Sequence, residues 1–217
     1  MHRRSLLALL AVLPALSTRS FAQDTAADAA GAAASGARAL TQEEVDLINA
    51  ISAHNSAIKT MQGRFLQMDR QGARIEGTFF LVRPNKIRFR YDPPSREEIV
   101  SSGRGFFILD RKEKTTSAYP QDKVPLRQFL SDNIDLLHAG LVAIDHAPNY
   151  VALTLNDDTP KGPVSVDLVF DKETKELVQW VLKSPDGAAL TFSLFDVEHD
   201  VEIKNSNFYV DPTYTPR

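Results

Sequence analysis

A chain of 217 residues with no cysteine and a formal charge of −3 is long enough for one domain with a substantial core, and nothing in it can be stapled by disulfides. The acidic balance argues against a nucleic-acid binder. The missing cysteine also removes the thiol that an N-terminal bacterial lipid anchor would need.

The chain opens with a basic head (His2, Arg3, Arg4), an apolar stretch from Leu6 to Leu16, and Ser20-Phe21-Ala22 before Gln23. That tripartite order reads as a cleaved secretory signal over 1–22, and the apolar stretch is too short to span a bilayer. Arg3-Arg4 suits the twin-arginine route as well as the general one. The segment carries three arginines and no acid, so its removal takes the charge from −3 to −6 over 195 remaining residues. Residues 23–40 are rich in Ala, Gly and Ser, hold nothing large enough to anchor a core, and read as a flexible leader before a domain over 41–217.

Thr41 and Glu44 form a T-x-x-E capping box, and Val45, Ile48, Ile51, Ile58 and Met61 follow near helical spacing. From Gly63 the period changes to two. Ile75, Phe79 and Leu81 alternate with polar residues, as do Ile87, Phe89 and Tyr91, then Val164 to Phe170, then Leu190 to Leu194. Further short strands are expected at 63–69, 98–102, 105–110, 114–119, 150–155, 177–183 and 207–210, separated by turn signals such as Asp92-Pro93-Pro94 and Pro185-Asp186-Gly187. The stretch from Pro125 to Leu141 has helical spacing instead. The fold class is therefore mostly β: a meandering antiparallel sheet or barrel with an N-terminal helix and a helical insertion.

Parity assigns faces. Phe79, Leu81, Ile87, Phe89, Leu168, Phe170 and Phe192 line the apolar face, which is either a filled core or a cavity for an apolar ligand. Lys86, Arg88 and Arg90 fall on the opposite, solvated face, and the pair Glu97-Glu98 reads as an ordinary turn. Arg83 shares the apolar side if its strand runs that far, where it would need hydrogen-bond acceptors such as carbonyls at the end of a covering helix. Alternatively Pro84 ends the strand and leaves Arg83 at a wet edge; parity does not choose.

Nucleophile-elbow, zinc-protease, phosphate-loop and dinucleotide motifs are absent. His54, His138, His146 and His199 are scattered, and His199 in its acidic run lacks a second nearby His for a metal. No enzyme activity, metal or cofactor is expected.

Met61-Gln62-Gly63-Arg64-Phe65-Leu66-Gln67, Glu76-Gly77-Thr78-Phe79-Phe80-Leu81-Val82-Arg83-Pro84, Arg88-Phe89-Arg90-Tyr91 with Pro94, and Ile99-Val100-Ser101-Ser102-Gly103 before Phe107-Ile108-Leu109-Asp110 occur in this order. In this ordered set the chain resembles the periplasmic outer-membrane lipoprotein carrier family, LolA-like, in its alphaproteobacterial form. The resemblance implies an incomplete, strongly curved antiparallel β-barrel whose helices form a lid over a hydrophobic cavity. It implies a soluble, monomeric periplasmic carrier that takes lipoprotein acyl chains from an inner-membrane ATP-driven exporter. Delivery would be to an outer-membrane acceptor or to the outer membrane itself. The arginine of the family's R-P position, Arg83 here, would hydrogen-bond the lid and help it open and close. A carrier of another lipid on the same fold is the alternative.

Overall fold

Thr41 caps the first helix as its sequence requires. The Thr41 hydroxyl accepts from the Glu44 backbone N–H (3.2 Å), and the Glu44 carboxylate accepts from the Thr41 N–H (2.8 Å). In the computed structural model, which describes residues 38–121, 126–159 and 162–216, the helix α1 spans Gln42–Ala57. The expected signal over 1–22 and leader residues 23–37 lie outside the described residues. The helix stops earlier than its apolar spacing suggests. Ile58 is its extended C-cap, and Met61 already belongs to a strand.

Twelve strands follow: β1 (Thr60–Asp69), β2 (Arg74–Val82), β3 (Lys86–Tyr91), β4 (Glu97–Ser102), β5 (Gly105–Asp110), β6 (Thr115–Pro120), β7 (Leu141–His146), β8 (Tyr150–Thr159), β9 (Gly162–Asp171), β10 (Leu177–Lys183), β11 (Ala189–His199) and β12 (Thr215–Pro216). They form one open sheet in the order β12-β6-β5-β4-β3-β2-β1-β11-β10-β9-β8-β7. Every pairing is antiparallel except β12 on β6. The curvature is visible in one distance. Four strand spacings separate β3 from β10, about 19 Å if the sheet were flat, yet the rings of Phe89 and Trp180 on those strands lie 5.7 Å apart.

Alternation fixes what the sheet encloses. Phe65, Phe79, Leu81, Phe89, Leu153, Leu168, Phe170 and Phe192 point to one side and join a single buried cluster with Ile48 and Ile51 of α1. Phe65 packs edge-on against Phe89 (5.1 Å) and Tyr91 (5.2 Å), and Trp180 stacks on Phe192 at 4.8 Å. Gly77 makes room for Phe65: a Cβ there would lie 2.5 Å from its ring and 2.3 Å from the Arg90 carbonyl.

Four expectations need correction. The stretch from 126 to 140 is a series of turns and bends, not a helix; the repeated turn formers Ser131, Asp132 and Asn133 and then Gly140 interrupt it. The same misreading hid β7. Residues 207–210 are not a strand, since Asn205–Phe208 forms a short 3-10 turn. The outer face of β3 and β4 is not simply solvated: Glu98 is 1 % exposed and Arg88 8 %. Arg88, Arg90 (2.9 Å) and Arg111 (3.3 Å) all pair with Glu98, and Arg88 also donates to the carbonyl of Asn207 (2.7 Å). The C-terminal segment, with Phe208 buried, thus covers a carboxylate held by three arginines.

Candidate functional site

Two segments cover the open side of the sheet, α1 and the insertion 126–140, and hydroxyls on one face of α1 join them. The Ser56 hydroxyl accepts from the Ile134 N–H (2.8 Å) and the Ser52 hydroxyl from the Leu136 N–H (3.3 Å). The four-residue spacing of the two serines puts both on the same side of the helix. Lys59 adds an exposed ion pair to Asp132 at 2.9 Å. On the other flank Asn55 donates to the carbonyl of Lys175 in the β9–β10 turn (2.8 Å). The N-terminal end of α1 is tied to the edge strand β7, where His146 Nε2 lies 3.2 Å from Glu44, and to Arg38, whose guanidinium grips the same carboxylate. Those bonds hold the Glu44 carboxyl below the usual carboxylate range, the Arg38 hydrogen bond contributing most.

Arg83 sits where both segments meet the sheet, and the structure chooses between the two readings of the sequence. Its side chain is 6 % exposed and shares the inner face with Phe79 and Leu81. Nε donates to the carbonyl of Ile58 at the C-cap of α1 (2.9 Å), and Nη1 donates to the carbonyl of Phe129 in the insertion. The guanidinium also lies over the Phe129 ring, 4.7 Å from its centre. Neighbouring backbone groups repeat the bridge, Arg83 N–H to Lys59 O (2.9 Å) and Asn85 N–H to Leu130 O (2.8 Å). One residue therefore binds the carbonyls of both covering segments. Burial pulls its pKa down to about 10, with Asp132 opposing, so the group remains cationic at neutral pH.

Beneath this cover the interior is almost full. Phe79, Leu81, Ile87 and Phe89 meet Leu126, Phe129 and Leu130 of the insertion around a void of about 20 Å³. A second void of about 20 Å³ lies between Leu126, Phe129, Leu155, Val166 and Leu168. Each is about the size of one water molecule. Phe170 packs against Phe129 with ring centres 6.4 Å apart, and Phe192 stacks on Trp180. All seven residues that parity placed on the apolar side are buried in this one cluster, and five of them border the two voids. Parity missed Trp180 because a bulge between Leu177 and Gln179 breaks the alternation of β10. Leu126, Phe129 and Leu130 were masked by the helical reading of the insertion, although their three- and four-residue spacing marked one apolar face. The arrangement can hold apolar matter only by exchanging it for these side chains.

The histidines serve elsewhere: His138 pairs with Asp135 (2.8 Å) and His199 lies 3.5 Å from Glu176. Among the described residues, no helix is long and apolar enough to cross a membrane.

The family model for the outer membrane lipoprotein carrier protein LolA matches residues 56–211. An outer-membrane lipoprotein carrier protein of Xylella fastidiosa is 34% identical over 77 residues, covering 33% of this chain and 37% of that protein. Among solved structures, an uncharacterized conserved protein from Thermus thermophilus superposes with a TM-score of 0.48 at 10% identity, covering 81% of this chain and 99% of that one. A LolA superfamily protein from Nitrosomonas europaea gives 0.42 at 8% identity, over 75% of this chain and 97% of the other. The family model spans most of the chain, including the last two residues of α1, the strands from β1 to β11, Arg83 and the insertion; the chain belongs to the LolA family of outer membrane lipoprotein carrier proteins.

Proposed function

We propose that this protein is a periplasmic carrier that shields lipoprotein acyl chains from water between an inner-membrane ATP-driven exporter and the outer membrane or an acceptor there. It would act as a monomer, and the reading assigns it no catalytic group. The observation that carries the proposal is the bridge made by Arg83: a buried cation joins both covering segments to a sheet whose interior those segments fill with apolar side chains. Moving Leu126, Phe129 and Leu130 outward would open that interior, with Phe79, Leu81, Ile87, Phe89, Leu168, Phe170 and Phe192 as its walls and Arg83 as the latch.

Magnitudes favour a carrier that does no work of its own. A buried methylene is worth about 0.8 kcal/mol, so one long acyl chain in a membrane represents on the order of 10 kcal/mol. Extraction on that scale requires an energised donor, and the sequence has no nucleotide-binding loop. The test is depletion of the protein in cells, with lipoproteins located by fractionation and the co-purifying cargo identified by mass spectrometry. Triacylated proteins bound to the carrier, and lipoproteins stranded in the inner membrane on depletion, are expected. Unchanged lipoprotein sorting, or only free lipid on the purified protein, overturns the reading.

A further inference from the structure

The insertion has a second side. Where it rejoins the sheet, an open groove of about 610 Å³ lies between Arg127, Gln128 and Gly140 on one bank and Asn156, Ser165 and Lys183 at the ends of β8, β9 and β10 on the other. This is the size range of ligand pockets. The groove does not stand apart from the interior. Gln128, Ala139 and Asp157 line both it and the apolar void bordered by Phe129, Leu155 and Leu168. A polar vestibule and an apolar chamber therefore share one wall, and two of its three residues, Gln128 and Ala139, belong to the segment that must move if the interior is to fill, the third being Asp157 of β8. A ligand passing that wall has an apolar part inside and a polar part in the groove.

The chemistry of the groove narrows what the polar part is. Its two permanent cations each have an anionic neighbour, Arg127 pairing with Asp157 (2.8 Å) and Lys183 with Asp167 (2.5 Å), and the His138 ring nitrogen lies 2.8 Å from Asp135. A site built to hold a phosphate headgroup offers cationic donors in excess of acids, and the balance of charge here does not. The other polar side chains are the amides of Gln128 and Asn156 and the hydroxyls of Ser165 and Ser184. Amides and hydroxyls both donate and accept, which suits a polypeptide backbone with its alternating N–H and C=O groups.

We propose that this groove is the subsite for the uncharged polar peptide that follows the acylated end of the cargo, and that acyl chains pass between it and the interior beneath Phe129. The inference rests on the carrier reading and adds to it a side of the molecule and a partner chemistry.

The test uses the full chain with photoreactive p-benzoylphenylalanine at Asn156 or Ser165, and at Ser117 in β6 near the other end of the sheet. The probe is a biotinylated pentapeptide with a triacylated N-terminal cysteine, with co-migration on gel filtration reporting binding. Crosslinks at 156 and 165 at least about tenfold above those at 117 are expected, a ratio equivalent to a clear positional preference. Bound probe that crosslinks at 117 but not at 156 or 165 overturns the groove and leaves the carrier reading standing. No bound probe at all overturns both. Equal crosslinking to a photolabelled phosphatidylglycerol headgroup overturns the assignment to peptide. As a second measurement, Asn156→Trp narrows the groove without touching the interior. It should weaken the triacylated peptide about fivefold, the loss of one or two hydrogen bonds, with palmitate binding unchanged. An equal loss for palmitate overturns the proposal.

Discussion

Replacing Arg83 with leucine separates the latch from the rest of the fold. In the closed state the guanidinium makes two bonds to backbone carbonyls, those of Ile58 and Phe129. Hydrogen bonds from a charged donor contribute about 1.5–3 kcal/mol each, so the pair is worth about 3–6 kcal/mol. Against this stands the cost of burying the cation. Its pKa falls from 12.5 to about 10, with burial the leading cause, so burial offsets part of that gain. The net hold on the closed state is then about 1–3 kcal/mol, small enough for reversible opening. Leucine removes the bonds and the buried charge together, so the variant should still fold, with its closed state weakened by that same amount. On the proposed carrier reading closure competes with cargo, so losing its hold should raise the apparent affinity for an acylated peptide by as much as about 100-fold. Transfer to acceptor vesicles should slow in proportion. Fluorescence titration and a vesicle-transfer assay measure the two. A folded Arg83→Leu protein that binds no more tightly than the parent, and passes cargo on at the parental rate, would refute the reasoning.

Three further outcomes follow from local geometry. Glu98→Gln strips the anion from three arginines, one of them buried, and should cost about 3–5 kcal/mol in urea unfolding; amide exchange in 205–209 should quicken, and an unchanged midpoint contradicts the account. Gly140 has φ +81°, and a Cβ there would lie 2.5 Å from the Asn156 carbonyl oxygen. Gly140→Ala should therefore lose about 1–3 kcal/mol of stability, read as a lower melting temperature. Glu44 has a depressed carboxyl pKa, so its contribution is complete above the ordinary Glu value, about pH 4.3, and is lost as the pH falls through the lower native value. Glu44→Gln should lower stability by a constant amount above about pH 4.3 and flatten the fall on the acid side, so that variant and parent converge at low pH; a parallel shift of the whole curve would count against this role.

The inner face of the sheet was legible because a period of two is a local property: each of the seven parity residues needed only its own neighbours to be placed. The cap of α1 was legible for the same reason, since Thr41 and Glu44 are three residues apart. What escaped depends on distant partners. Glu98 reads as a solvated acid until Arg88 beside it is covered by carbonyls from Asn207 and Tyr209, 119 and 121 residues away. The insertion has the spacing of an amphipathic helix, yet its backbone N–H groups at Ile134 and Leu136 are satisfied by serines of α1 rather than by its own carbonyls. That choice belongs to tertiary contact, which periodicity within one segment does not encode. Arg83 lay between: carbonyls of a covering segment were foreseen as acceptors if it faced inward, but parity left its side open, and that was decided by Ile58 and Phe129, 25 and 46 residues away.

The two water-sized voids beside Phe129 change what affinity means for such a molecule. An empty pocket binds by removing apolar surface from water, and its strength grows with every methylene admitted. Here the surface is already dry, because the chain has supplied its own stand-in for a guest. On the proposed carrier reading, uptake is a substitution of one tenant for another, and its free energy is the difference between two similar burials. Such a difference is smaller than burial into an empty pocket by the constant cost of expelling those side chains, although it still grows with each methylene. Loading and unloading can then be tipped in either direction by whatever stands at the two ends of the journey.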